Sequence, residues 1–145
     1  MSAGYADEAN FAAIGEGFCT ASLTVAQWTH GAHFAAALWL IRRRPDLLPE
    51  RDMPAMIRRL NEAQGGVNSE SAGYHETITQ ASLRGVRAHL GGDAPDAPLH
   101  AVHARLMAGP LGRSDWPLAH WSRERLFATE ARARWVEPDI MPLPF

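Results

Sequence analysis

Residues 24–45 read TVAQWTHGAHFAAALWLIRRRP, and the fold turns on this stretch. Thr24 and Gln27 have the spacing of a capping box, in which the hydroxyl takes a backbone N–H and the amide reaches back. From Thr24 to Arg44 the pattern is helical and apolar on almost every side. Pro45 stops it, and the arginines of the last turn suit the negative end of the helix dipole. A helix that is apolar all round is a buried one, so this segment predicts the central helix of the fold.

Helical signals recur on both sides of it. Ala6 to Ile14 reads as a short helix that Gly15 and Gly17 end or loosen. In RDMPAMIRRLNEAQGG (51–66), Asp52 is the expected cap, Pro54 lies in the first turn and Gly65-Gly66 closes the helix. Met53, Met56, Ile57 and Leu60 make its apolar stripe. Tyr74 to Leu90 predicts a third long helix, and Leu99 to Ala108 a fourth with Asp96 as cap. Short helical pieces are expected at Leu118 to Trp121 and Thr129 to Val136, then an extended, proline-rich tail, EPDIMPLPF (137–145). No run of alternating β-branched residues calls for a sheet. The expectation is all-α: a compact bundle of four to six helices, a single domain over residues 1–145.

Bulk properties narrow the function. A chain of 145 residues with 46% hydrophobic and 21% charged residues is ordinary globular material. A net charge of -2 supplies no field to hold nucleic acid or an anionic membrane. All 14 basic residues are arginine, which excludes a Schiff-base lysine, an internal pyridoxal-phosphate site and a P-loop. The one cysteine, Cys19, permits no internal disulfide. MSAGYADEAN has neither a basic n-region nor an apolar h-region, so the expected location is cytoplasmic, without a membrane span.

Two stretches carry the candidate chemistry: WTHGAH (28–33) and GYHETIT (73–79). His30 and His33, three apart, fall on one helical face, with small residues such as Ala37 beside them and Trp28, Ala32, Ala35 and Trp39 opposite. Two imidazoles one turn apart can supply two ligands to a divalent zinc, iron or manganese ion, and His75 or Glu76 can supply a third. Glu76 is alternatively a general base and Tyr74 a proton donor. Thr79, one turn beyond His75, is placed to hydrogen-bond around that site. Asn61 and Arg123 are candidate substrate contacts, Arg123 for a small anionic ligand. A second H-x-x-H, His100 and His103, reads as a solvated face.

WTHGAHFAAALW, RRLNEAQG, GYHETIT and ARARWVEPD resemble blocks of a small bacterial family of uncharacterised all-helical proteins, over about Trp28 to Pro144. The resemblance implies a helical fold and carries over no activity and no catalytic residue. Three readings stand at this point. One is a metal-dependent enzyme (hydrolytic, lyase or isomerase, or iron–oxygen chemistry). Another is metal-free acid–base catalysis by His75 and Glu76. The third is a non-catalytic interaction module or homodimer whose histidines are internally bonded and whose tryptophans serve an interface.

Overall fold

The computed structural model describes residues 5–145. Among them there are seven α-helices and no strand: α1 Glu8–Cys19, α2 His30–Arg43, α3 Pro49–Ala63, α4 Glu76–Leu90, α5 Leu99–Ala108 and the short α6 Arg123–Leu126 and α7 Thr129–Ala133. The all-helical bundle expected from the sequence is the fold. None of these helices is long and apolar enough to cross a membrane.

Helix α2 packs against α1, α3, α4 and α5. Eight of its residues are buried, Gly31, Ala32, Phe34–Leu38 and Leu40. Its start differs from the expectation. The Thr24–Gln27 capping box forms, but it closes only a 3₁₀ turn, Val25–Gln27. Thr29 then caps α2 by accepting from Ala32 N. Trp28 is therefore off the helix. Instead of facing away from the histidines it stacks on His33, with ring centroids 3.8 Å apart.

Gly15 and Gly17 do not end α1, which runs on to Cys19. Their role is close approach: a Cβ on Gly15 would lie 2.3 Å from the Trp39 ring, and one on Gly17 would lie 2.5 Å from Leu23. Helix α3 begins at Pro49, a turn before Asp52, because proline suits the first helical position. Asp52 reaches back to accept from Leu48 N at 2.8 Å. Pro54 thus lies inside α3, where it offers no N–H to the Glu50 carbonyl one turn earlier. Gln80 of α4 fills that gap, donating Nε2–H to Glu50 O at 3.0 Å.

Helix α4 starts at Glu76 rather than Tyr74, with His75 as its cap. Helix α5 has the expected span, but Asp96 does not cap it. Glu8 of α1 does so from across the bundle, accepting from His100 N at 2.6 Å and from His100 Nδ1 at 2.9 Å. His103 is not solvated: it is wholly buried and donates Nε2–H to Gly31 O at 2.8 Å. His100, three places earlier on the same face, is part-buried against Glu8, because α1 and α2 both pack on this side of α5.

The last third of the chain is mostly irregular and is tied down by polar contacts. Trp121, fully buried, donates to Val136 O at 3.0 Å. Asp139 accepts from Ser122 N and Oγ at 2.7 and 2.6 Å. Thr77 of α4 is the anchor on the helical side. Its hydroxyl donates to Ala131 O at 2.7 Å, lies 2.9 Å from Arg134 O and accepts from Val136 N at 3.2 Å. Thr77→Val keeps the shape and leaves buried main-chain groups without a partner. We expect a loss of about 1–3 kcal/mol in urea unfolding at an unchanged slope. A loss below about 0.5 kcal/mol would show that water replaces the hydroxyl.

Candidate functional site

The two histidine stretches do meet. Helices α2, α3 and α4 enclose two adjoining cavities. One, of about 350 Å³, is lined by His30, His33, Phe34, Met53, Ile78, Ser82 and Trp116 among others. The other, of about 470 Å³, is lined by Trp28, His33, Asn61, Tyr74, His75 and Thr79, with Val25 and Val67 also on its wall. His33, Ile57, Ile78 and Thr79 border both. Val25 and Val67 are 68% and 70% exposed, which gives the second cavity an apolar rim.

His33 occupies the junction. Its Nδ1 lies 2.7 Å from Thr29 O, an acceptor, so Nδ1 carries the proton and Nε2 presents a lone pair. Nε2 has no partner among the described residues. Burial, together with neighbouring His30, holds the ring well below the usual histidine range, at about 4; the bond to Thr29 opposes this only in part. His33 is therefore neutral at pH 7 and acts as a hydrogen-bond acceptor. His30 is arranged in the opposite sense. Its Nε2 donates to Leu111 O at 2.8 Å, leaving Nδ1 as the acceptor.

His75 differs from both. Its Nε2 donates to Leu126 O at 2.6 Å, and its Nδ1 accepts from Ile78 N at 3.1 Å as the cap of α4. Both ring nitrogens are occupied, so His75 does not complete a three-ligand centre with His30 and His33. Among the described residues, no three His, Cys, Asp or Glu side chains stand close enough to share an ion. The same two bonds take away the free lone pair that acid–base chemistry at His75 needs.

Tyr74 and Glu76 bond to each other. The phenol donates to Glu76 Oε1 at 2.5 Å, and Gln80 Nε2 lies 3.3 Å from Oε2. Burial, then the Glu76 carboxylate, pushes the Tyr74 phenol far up. A phenol that holds its proton so firmly is a poor donor to a substrate. The carboxylate sits on the first residue of α4, where the helix dipole favours it. Thr79 donates to His75 O at 2.8 Å and borders both cavities.

Asn61 lines the second cavity, but its amide N–H is fixed to Asn68 Oδ1 at 3.0 Å, which also accepts from Tyr74 N at 3.0 Å. That pair folds the 65–73 loop back on α3. Arg123 is an exposed residue at the start of α6 and borders neither cavity. Short α6 turns it outward, while Leu126 and not Arg123 is the buried residue of that turn. Ser82 follows Thr79 by three places and shares its face, so helical spacing alone points to it. Ser114 and Trp116 enter from the irregular GPLGRSDWP segment (109–117), whose path has no local signal.

The His33 ring has a consequence for acid stability. It takes its proton near 6.5 in the unfolded chain and only near about 4 in the folded one. The unfolded state therefore binds more protons as pH falls through that window. Stability from this group is complete above about 6.5 and is lost on the way down to about 4. Buried His75 and His103, also lowered chiefly by burial, act in the same direction. Melting curves between pH 7 and 4 should show Tm falling with pH, with a shallower slope in His33→Gln. An equal slope in both proteins would remove His33 as a source. Comparison with known proteins returns no match: no family model fits the chain, and no curated protein or solved structure is similar to it.

Proposed function

We propose that this chain binds a small molecule with a mostly apolar body and one hydrogen-bond donor, seated between α2, α3 and α4. What carries the reading is the state of His33: neutral, fixed in one tautomer by Thr29, its remaining lone pair at the junction of two cavities. The walls suit the body of such a ligand. Phe34, Met53, Ile57, Leu83 and Trp116 are apolar, and a pocket of about 350 Å³ falls within the range of small-molecule sites. A base that gives up its proton near about 4 takes one only weakly, so His33 is better suited to recognition than to proton abstraction.

Phenol and toluene make a matched probe pair, alike in shape and differing in the donor. Titrations followed by tryptophan fluorescence and by histidine ring ¹⁵N shifts should place phenol at His33. The phenol-to-toluene affinity ratio should fall about 2- to 10-fold in His33→Leu, the worth of one net hydrogen bond. No binding of either probe up to its solubility limit, or an unchanged ratio, would defeat the proposal.

A divalent ion is the second reading, and one observation favours it. His30 and His33 each tie one ring nitrogen to a main-chain carbonyl and keep the other, the arrangement that orients imidazoles for a metal. They offer two ligands; the bound molecule or water would supply the others. Elemental analysis of untagged protein, with His30→Ala and His33→Ala beside it, tests this. Near one equivalent of zinc, iron or manganese lost in both variants supports it, and no ion after reconstitution rejects it.

A further inference from the structure

Behind Tyr74, on the side away from His33, lies a third cavity of about 340 Å³ with Arg58, Asn68, Ser69, Glu70 and Arg132 on its walls. Neither arginine forms an ion pair among the described residues. Arg58 lies over the Tyr74 ring, its guanidinium carbon 4.4 Å from the centroid. Arg132 donates from Nη1 to Gly73 O at 2.9 Å and to Tyr74 O at 3.3 Å, which fixes its plane. Its Nε–H is buried with no acceptor. A buried donor on a charged group is seldom left without a partner, because the desolvation it suffers is uncompensated.

Two guanidinium groups against the single Glu70 carboxylate leave the wall net positive. Ser69 accepts from Ser71 N and Ala72 N, and its hydroxyl lies 3.5 Å from Ser71 Oγ. We propose that this cavity binds the oxyanion end, carboxylate or phosphate, of a small molecule between Arg58 and Arg132. The planar fork of exposed Arg58 matches either group with paired bonds, and Arg132, held in place through Nη1 by the main chain, adds a second positive charge beside it. The site stands apart from the histidine-lined cavities, and Tyr74 forms a wall of both.

The test is a titration of ¹⁵N-labelled protein with inorganic phosphate and, separately, acetate, at ionic strength held constant with chloride. Arginine Nε–H and the amides of residues 68–72 are followed. The expected result is a saturable shift of the Arg132 Nε–H and of those amides with at least one anion. Saturation by phosphate alone assigns the site to phosphates, and by acetate alone to carboxylates. Arg58→Gln, a change at an exposed side chain, should weaken binding about tenfold or more. Arg132→Lys keeps a positive charge but loses the placement that the Gly73 and Tyr74 carbonyls give it, and should weaken binding as well. No saturable shift with either anion, or one unaltered in Arg58→Gln, would overturn the proposal.

Discussion

The burial of α2 among four other helices is the constraint on which the rest depends. Alanine at 32, 35, 36 and 37 gives a thin helix that neighbours can approach closely, while Phe34, Leu38 and Leu40 fill the spaces between them. Glycine plays the same part on the facing helix, where Gly15 admits the Trp39 ring. Polar side chains on such a helix have few places to stand. His30 and His33 face the cavities lined by α2, α3 and α4, so their surroundings are set by how the bundle closes.

Histidine has a second use in this chain, as a tie between segments separated in sequence. His30 holds Leu111, His75 holds Leu126, His103 holds Gly31 and His120 holds Met141, each through a main-chain carbonyl. The Leu111, Leu126 and Met141 carbonyls lie outside the long helices, and a ring N–H reaches them without demanding a charged neighbour; the Gly31 carbonyl lies in the first turn of α2. This explains why clustered histidines need not imply a metal. His75 in particular is a helix cap and a tether at once, which consumes both of its nitrogens.

Much of the fold was legible because helix periodicity, proline and paired glycines are local signals. Helix α5 and the ends of α3 and α4 follow them closely. The misread features are those decided by a distant partner. The Thr24 box is real, yet the chain turns again at Thr29 because Trp28 has a site between Phe18 and His33. Asp96 is a capping residue type but lies two places before Pro98, which flanks α5, and Glu8, 92 residues before His100, supplies the acceptor instead. For the site, spacing brought out His30 and His33, and the meeting with GYHETIT is real. What spacing could not show was which ring nitrogen each main-chain carbonyl would claim. Nor could it show Trp116, which arrives along an irregular path.

Pro54 bears on the whole arrangement. By removing one N–H from α3 it leaves the Glu50 carbonyl open, and the only donor that reaches it among the described residues is Gln80 of α4. The same Gln80 amide also touches Glu76. This makes a register lock: sliding α4 along α3 by a turn would orphan that carbonyl in a part-buried seam. Ridge-and-groove packing alone tolerates such slips, since one turn of helix looks much like the next. A local defect in one helix thereby indexes its neighbour, and with it the alignment of Ile57 against Ile78 and Thr79 on which the shape of both cavities depends.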